Sequence, residues 1–259
     1  MRAGQHFLVD REYIMKELQA LSPSKSDSVL EIGSGEGHIT RLIAEKAKKV
    51  IAIEKDPMLM IVAKTNSPPN IIWKLEDALK LNFESVDLVF SNVPYYISSP
   101  LLLKIIKWGE FKRAILSFQK EFAQRLIALP SSKEYGRISV IFKLLANAEP
   151  LFDIPPWAFK PRPKIWSSVI EVKPREKRPV SELGKLEPFT SALFSQKNRL
   201  IPKALCKLKM FDSQAEAIKA IDDYSIAKKR VRELTPEEVL FLSKKLGEKR
   251  EIADLSTIG

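Results

Sequence analysis

Five short apolar runs constrain this chain more than any other feature, because a continuous apolar run is typical of a strand buried on both faces of a sheet. The runs are Ser28 to Ile32, Val50 to Ile53, Ile71 to Leu75, Val86 to Phe90 and Ala114 to Phe118. Helical spacing of apolar residues follows the first, fourth and fifth runs. The alternation predicts an open α/β sheet with helices on both faces.

The first run leads into the sequence GSGEG at residues 33–37, and a helical pattern follows it. Glycines let a backbone turn sharply and approach a ligand closely, and the amino end of the helix adds exposed N–H groups. The spacing is G-x-G-x-G rather than the G-x-G-x-x-G of dinucleotide folds, which disfavours a nicotinamide cofactor. Gly33 and Gly35 are therefore candidate contacts to some other ligand.

Acidic residues follow the next two runs. Glu54 lies 21 positions after Gly33, a spacing that suits a carboxylate accepting hydrogen bonds from a ribose diol. Asp77 follows the third run and could accept from an adenine amino group, although a solvated acid in a turn is the alternative. Ligands of open α/β sheets bind outside the carboxyl ends of the strands, so these residues and Asn92 are predicted to converge there.

The fourth run ends in the motif Asn92-Val93-Pro94-Tyr95. The amide oxygen of Asn92 can accept one N–H, and Pro94, with its fixed φ, can hold a backbone carbonyl that accepts another. Tyr95 offers a flat face for stacking. The motif predicts a site for a planar base that carries an amino group. A strand followed by a proline-containing turn is the alternative for these residues taken alone.

The net charge of +11 is concentrated in two stretches. Residues 157–178 hold seven Lys and Arg against two acids, and Lys197 to Lys209 holds five Lys and Arg with no acid. Such clustering favours a polyanionic partner, with nucleic acid as the leading candidate. The candidate phosphate contacts are Lys160, Arg162, Lys164, Lys197, Arg199, Lys203 and Lys207.

The remainder of the chain predicts two domains. The apolar runs Ile138 to Leu145 and Ser167 to Val172 are interpreted as a last antiparallel pair of strands. Between them a proline-rich loop displays Trp157 and Phe159 beside cationic residues, which suits base stacking; burial of both aromatics in the core is the alternative. From Leu186 onward the pattern is helical. We expect one domain over residues 1–175 and a small all-helical domain over residues 176–259.

Several classes of protein are disfavoured by composition. The single cysteine, Cys206, excludes an internal disulfide, and with only two histidines, His6 and His38, we expect no metal site. The segment Met1 to Tyr13 lacks an apolar signal region, and no run of 18 apolar residues occurs. We therefore expect a cytoplasmic monomer that is neither exported nor inserted into a membrane.

Eight fragments in order resemble the ribosomal RNA adenine dimethyltransferases that act on the small subunit, in particular their archaeal branch. The fragments are GQHFL at Gly4, VLEIGSGEG at Val29, AIEKD at Ala52, EDAL at Glu76, NVPYYISSP at Asn92, QKEFAQRL at Gln119, YGRISV at Tyr135 and FKPRPKI at Phe159. The resemblance extends from Gly4 to about Leu240. It implies a Rossmann-like class I methyltransferase sheet, with the helical carboxyl-terminal domain contacting RNA.

The resemblance also implies a cofactor, a set of site residues and a substrate. S-adenosylmethionine would be the methyl donor, Asn92, Pro94 and Tyr95 match the catalytic motif, and Phe159 would close over the other face of the target adenine. The implied cofactor contacts are Gln5, His6, Leu8, Gly33, Gly35, Glu54, Lys55, Asp77, Ala78 and Asn92. The implied substrate is a pair of adjacent adenines in the 3′-terminal hairpin of small-subunit (16S) rRNA, each dimethylated, in free RNA or an immature 30S particle.

The chain departs from the family pattern at a few positions. Ser34 and Val93 replace a frequent Pro and Leu at sites where backbone geometry carries the role. Trp166 and Ser168 stand where Asp and Ala are frequent, which leaves the substrate contacts of that segment open.

Three other functions remain open at this point. A non-enzymatic assembly factor could use the same fold to hold immature small subunits. An antibiotic-resistance type methylase acting on large-subunit rRNA shares the motifs, although the length and the lysines of Leu186 to Leu246 argue against it. A DNA adenine methylase is disfavoured because no separate base-reading domain is evident.

Overall fold

The computed structural model describes residues 6–247, so the predicted cofactor contact Gln5 lies outside the described residues. The described chain divides into two compact units. The first comprises the described residues up to Ala123 together with Ala146–Pro174, and the second comprises Gln124–Leu145 together with the described residues from Arg175 onward.

The strands of the described residues all belong to the first unit. They are β1 (Phe7–Leu8), β2 (Ser28–Ile32), β3 (Lys49–Glu54), β4 (Ile71–Leu75), β5 (Leu88–Asn92), β6 (Arg113–Gln119), β7 (Ala146–Ile154), β8 (Phe159–Lys160) and β9 (Ser167–Pro174). Two helices of this unit begin after an aspartate cap. The side chains of Asp10 and Asp56 accept hydrogen bonds from backbone N–H groups of the first turn.

The α-helices occur in both units. They are α1 (Arg11–Leu21), α2 (His38–Lys46), α3 (Pro57–Lys64), α4 (Ser98–Trp108), α5 (Lys120–Ile127), α6 (Arg137–Leu145), α7 (Leu183–Phe194), α8 (Ile201–Lys207), α9 (Gln214–Ile221), α10 (Tyr224–Ala227) and α11 (Pro236–Leu246).

The central sheet has the strand order β4-β3-β2-β5-β6-β9-β7. Strands β2 to β6 pair in parallel, whereas β9 is antiparallel to both of its neighbours. The chain runs outward from β2 to β4 and then returns to place β5 on the other side of β2. This reversal creates a crevice at the carboxyl ends of β2 and β5, where open α/β sheets bind ligands. The predicted Rossmann-like fold is confirmed.

Apolar packing fixes helix α1 against the sheet. Leu18 and Leu21 of α1 are buried in one cluster with the strand residues Val29, Val50 and Leu88. Full burial of each such side chain contributes about 1.5–3 kcal/mol relative to exposure. Because these contacts hold α1 in place, the one polar residue on its buried face, Glu17, is carried into the interior beside the end of β5.

The prediction of a strand at Ile138 to Leu145 is wrong, since these residues lie in helix α6. A short, fully apolar run does not distinguish a buried helix from a buried strand. The partner of β9 is instead β7, whose middle residues are mostly exposed and whose pairing is irregular next to Pro150. Proline is tolerated there because β7 is the edge strand of the sheet.

The second unit is helical, as the pattern from Leu186 onward predicted. Thr235 and Glu238 cap helix α11 reciprocally, and the hydroxyl of Tyr135 donates to the carbonyl of Leu234 at 2.8 Å. The segment Gln124–Leu145, expected in the first domain, groups with these helices. The assignment of RNA contact to residues 176–259 remains a prediction.

Candidate active site

A cavity of about 650 Å³ opens at the carboxyl ends of the parallel strands, wholly within the first unit. Its wall includes each predicted cofactor contact of the described chain: His6, Leu8, Gly33, Gly35, Glu54, Lys55, Asp77, Ala78 and Asn92. The predicted catalytic residues line the same cavity: Asn92, Pro94, Tyr95 and Phe159. The volume falls in the range of sites that hold small molecules and cofactors.

The glycine loop after β2 forms one wall. Gly33 has a φ of +79°, and a side chain at this position would meet nothing within 4 Å, so its backbone borders open space. Gly35 has a φ of +57°, and a β-carbon there would lie 3.0 Å from the ring of Phe7. Glycine is favoured at both positions, because L-residues with side chains rarely adopt these angles. A ligand can therefore lie directly against the backbone at Gly33.

Glu54, the last residue of β3, is held by backbone donors. Its Oε2 accepts from the N–H of Gly35 at 2.9 Å, and its Oε1 accepts from the N–H groups of Lys55 and Asp56 at 2.8 and 2.9 Å. These bonds fix the carboxylate beside the glycine loop. A carboxylate has about four acceptor sites, so capacity remains for a ribose hydroxyl.

Asp77 and Ala78 lie at the end of β4, on another part of the cavity wall. Oδ1 of Asp77 accepts from the N–H of Leu79 at 2.9 Å, an arrangement that holds the side chain in the turn. Lys55 lines the cavity as well, and its amino group lies 4.9 Å from the ring centroid of Tyr96. Asp77 and Lys55 therefore place a carboxylate and an ammonium group beside the same cavity.

The amino-terminal arm closes the cavity from another side. Strand β1 pairs antiparallel with β8, so that Leu8 lies opposite Phe159. The Nδ1 atom of His6 is 2.6 Å from the carbonyl oxygen of Pro161, and the rings of His6 and Tyr95 have centroids 5.5 Å apart. The arm therefore brings two predicted cofactor contacts to the catalytic motif.

Asn92, the last residue of β5, has a fixed amide group. Its Nδ2 donates to Oε2 of Glu17 at 3.0 Å. Its Oδ1 is buried and has no hydrogen-bond partner within residues 6–247. A buried acceptor without a partner is unfavourable unless a ligand satisfies it. In this arrangement Glu17 occupies the Nδ2 end of the amide, and the Oδ1 end is available to a ligand.

Pro94 and Tyr95 continue the motif. The carbonyl of Pro94 accepts from the N–H of Ile97 at 3.0 Å and keeps a second lone pair for another donor. The hydroxyl of Tyr95 is 2.8 Å from the hydroxyl of Ser167, and burial raises the pKa of Tyr95. The phenol therefore stays neutral near pH 7, and its ring is held at the cavity wall.

Glu17 is a site residue that the sequence analysis did not identify. Burial, the largest cause, raises its pKa to about 8. The hydrogen bond from Asn92 lowers the pKa, and the nearby charge of Glu31 raises it by a smaller amount. Burial likewise raises the pKa of Glu31, on β2, to about 8. At neutral pH both carboxyls are mostly protonated. A neutral acid at position 17 can still accept from the Asn92 amide through its carbonyl oxygen.

The predicted phosphate contacts are exposed in both units: Lys160, Arg162, Lys164, Lys197, Arg199, Lys203 and Lys207. Lys160 also lines the cavity. Within the described part of the chain none of the seven forms an ion pair with an acidic residue. Their charges are therefore not neutralised by neighbouring acids.

Residues 6–247 contain no cluster of His, Cys, Asp and Glu side chains that could hold a metal ion. The same residues include no helix with the length and hydropathy of a membrane span. The lone cysteine, Cys206, is half-buried and free.

Comparison with known proteins identifies the family. The family model described as ribosomal RNA adenine dimethylase matches residues 1–244. A protein of Pyrobaculum islandicum, named as a probable ribosomal RNA small subunit methyltransferase A, is 38% identical over 245 residues, which cover 94% of each chain. A protein of the same name from Methanosphaera stadtmanae is 40% identical over 206 residues, which cover 78% of this chain and 75% of the other.

Solved structures agree with this result. The crystal structure of a dimethyladenosine transferase from Plasmodium falciparum aligns with a TM-score of 0.81 and 27% identity, covering 92% of this chain and 98% of that one. The crystal structure of the 23S rRNA methyltransferase ErmE aligns with a TM-score of 0.65 and 24% identity over 93% and 99% of the two chains, a likeness of fold alone. The resemblance drawn from the sequence is therefore confirmed, and the chain belongs to the ribosomal RNA adenine dimethylase family.

Proposed function

We propose that this protein transfers methyl groups to the exocyclic amines of two adjacent adenines in the 3′-terminal hairpin of small-subunit rRNA. The family membership supports the reaction, and the name shared by the archaeal relatives supports the small subunit over the large one. The observation that carries the proposal is the buried Oδ1 of Asn92, an acceptor on the cavity wall without a partner among the described residues.

The enzyme uses S-adenosylmethionine, as its family membership implies. When bound, this cofactor supplies a methyl group whose carbon is electrophilic because it is attached to a sulfonium centre. The residues present fit such a ligand, since Gly33 leaves open space against its backbone and Glu54 is fixed beside it. We assign Glu54 to the ribose hydroxyls and Asp77 to the adenine amino group of the cofactor. His6, Leu8, Lys55 and Ala78 complete the wall.

Asn92 and Pro94 activate the target amine. The lone pair of an adenine amino group is shared with the ring, which makes the nitrogen a poor nucleophile. Oδ1 of Asn92 and the carbonyl of Pro94 would accept hydrogen bonds from its two N–H groups and favour a more tetrahedral nitrogen with an available lone pair. Attack of this lone pair on the methyl carbon would break the carbon–sulfur bond, and the cationic nitrogen would then release one proton to water. Positioning contributes most of the remaining acceleration, because aligned groups react as if at very high local concentration.

The aromatic residues hold the base once it leaves the RNA stack. Extrusion of a base costs a few kcal/mol. Stacking on the ring of Tyr95 offsets this cost at about 1–3 kcal/mol per base. Phe159 also lines the cavity, although it is only 4% exposed and belongs to the core cluster, and it would cover the other face of the base. The hydrogen bond between the hydroxyls of Tyr95 and Ser167 keeps the Tyr95 ring in position.

A product assay tests the proposal. The protein is incubated with labelled S-adenosylmethionine and with unmethylated small subunits, large subunits or DNA, and the nucleic acid is digested to nucleosides. Label in N6,N6-dimethyladenosine from the small-subunit sample is the expected result. Label from large subunits or DNA alone would contradict the substrate, and tight binding of small subunits without any label would favour a purely structural assembly factor.

We also propose that the protein acts in the cytoplasm as a monomer, on small-subunit rRNA alone or within an immature 30S particle, and so contributes to ribosome biogenesis. The excess of positive charge supports an RNA partner. Residues 176–259 would provide much of the RNA contact through the exposed cations that precede and line helix α8.

Charge reversal on helix α8 is expected to weaken substrate capture. In a Lys203→Glu/Lys207→Glu variant the affinity for small-subunit rRNA falls, and the plot of log affinity against log salt becomes shallower by about 0.7–0.9 for each phosphate that the variant no longer neutralises. Cofactor affinity stays unchanged, because neither residue lines the cavity. Salt titrations of RNA binding give the slope.

The control for this prediction is the double variant Lys25→Glu/Lys48→Glu. It changes the net charge by the same amount, at exposed positions of the first unit. If the α8 variant and this control gave the same slope of log affinity against log salt, α8 would not contact phosphate.

A further inference from the structure

Two tryptophans lie exposed beside the cavity without forming part of its wall. Trp157 is 58% exposed and Trp166 is 43% exposed. Their ring centroids are 5.7 Å apart with an interplanar angle of 78°, so the two indoles contact each other edge to face. Contiguous exposed apolar surface is a mark of an interaction site, whereas apolar residues that are exposed singly are ordinary.

Polar contacts hold Trp166, the second member of this pair. The backbone N–H of Lys120 donates to the carbonyl of Trp166 at 2.9 Å, and the Lys120 amino group lies 5.9 Å from the Trp166 ring centroid. The same amino group is 2.5 Å from Oδ2 of Asp153, whose other oxygen accepts from the hydroxyl of Ser168. These contacts hold the backbone of Trp166 and place a cation beside its ring, and the Trp166 indole in turn contacts that of Trp157. Side chains that are ordered before binding reduce the entropy lost when a ligand binds.

Chain continuity places the pair at the catalytic residues. Trp166 directly precedes Ser167, whose hydroxyl meets that of Tyr95 at 2.8 Å. Trp157 lies two residues before Phe159, which lines the cavity. Consecutive α-carbons are about 3.8 Å apart, so the α-carbon of each tryptophan lies within about 8 Å of that of a residue on the cavity wall.

We propose that Trp157 and Trp166 form a stacking platform for an unpaired nucleotide next to the target adenine. This inference rests on the proposed function. A base that leaves its stack exposes a face of its neighbour, and an aromatic side chain can cover that face. RNA loops are recognised in this way, by stacking of splayed bases on aromatic rings. The exposed cations Lys160 and Lys164 lie in the same segment and suit the linking phosphates.

Short single-stranded RNA carrying two adjacent adenines is the probe for this platform. Trp157→Ala and Trp166→Ala are each expected to lower RNA affinity about tenfold, the value of one base stack. The slope of affinity against salt stays unchanged, because stacking releases no counterions, whereas Lys160→Ala makes the slope shallower. The Trp→Phe variants retain most of the affinity. Cofactor affinity and thermal unfolding stay at the wild-type values.

The matched control is Tyr224→Ala, which removes another aromatic ring that is 67% exposed and carries a lysine 4.2 Å from its centroid. Equal decreases in this control and in the tryptophan variants would overturn the proposal, as would unchanged RNA affinity in both tryptophan variants. Loss of binding to 30S particles with unchanged affinity for the RNA would assign the surface to a protein and overturn it too. Wild-type methylation of small subunits is measured in the same preparation; its absence would reject the proposed function instead.

Discussion

Asn92→Ala is expected to reduce the turnover number for adenine methylation by about 10²–10³-fold, the usual cost of removing one preorganised hydrogen-bonding group from a reaction centre. The affinity for S-adenosylmethionine should fall far less, although Asn92 is also one of the implied cofactor contacts. The reason is that Oδ1 of Asn92 is a buried acceptor with no partner in the described chain, so it is available to the target amine. Without it, one amino proton of the adenine enters the cavity without an acceptor.

Single-turnover measurements test this prediction, because they separate the chemical step from RNA binding and product release. Asn82→Ala is the matched control, since it removes the same side chain from an exposed position of the first unit that does not line the cavity. Near-normal single-turnover methylation by Asn92→Ala would remove the assignment of Asn92 to catalysis.

The parallel core of the fold could be predicted from the sequence because its strands are buried on both faces. Ser28–Ile32 coincides with the predicted range, and β3 and β6 each extend only one residue beyond the expected ends. Such strands require continuous apolar runs that few other elements share. The strand β5 is an exception, since it was predicted at Val86 to Phe90 and spans Leu88–Asn92, so that Asn92 is its last residue. Gly33 and Asn92 still lie at the carboxyl ends of neighbouring strands, as predicted.

The edge of the sheet could not be predicted in the same way. Strand β7 has a largely exposed face and contains Pro150, two features that the sequence shares with a loop. Helix α6, in contrast, is almost wholly buried, so its apolar residues show no helical spacing. Local pattern fails in both cases because burial, and not intrinsic preference, determines which residues are apolar.

The sequence pattern around Glu17, the hydrogen-bond partner of Asn92, indicates that this residue is buried. Glu17 stands with Ile14, Leu18 and Leu21 at the i, i+3, i+4, i+7 spacing of one helix face, the face that α1 buries. A carboxyl at such a position must find a partner or remain protonated. The pattern could have flagged Glu17 as buried, but its contact with Asn92 depends on how α1 packs, which spacing does not reveal.

Glu17→Gln is expected to weaken the pH dependence of stability. The folded pKa values of Glu17 and Glu31 are about 8, above the usual value of 4.5. Between these values the folded protein holds protons that the unfolded chain has released. The contribution of each carboxyl is therefore fully present below pH 4.5 and is lost as the pH rises through about 8, at about 1.4 kcal/mol per pH unit.

The glutamine variant carries no titrating proton at position 17, so the decline in the free energy of unfolding from pH 5 to pH 8 should be about half that of the wild type, with Glu31 responsible for the rest. Urea unfolding across this range measures the decline. Glu12→Gln, at an exposed position of the same helix, should leave it unchanged. An equal decline in wild type and Glu17→Gln would contradict a proton held at Glu17.

Turnover then separates the two properties of Glu17. Gln keeps an oxygen that can accept from Nδ2 of Asn92, so Glu17→Gln should methylate RNA at a rate close to that of the wild type. Leu has no acceptor, and an unsatisfied buried donor costs about 1–3 kcal/mol, so in Glu17→Leu the Asn92 amide is free to turn and turnover should fall about tenfold or more. Equal rates in the two variants would mean that the fold around β5, and not Glu17, orients Asn92.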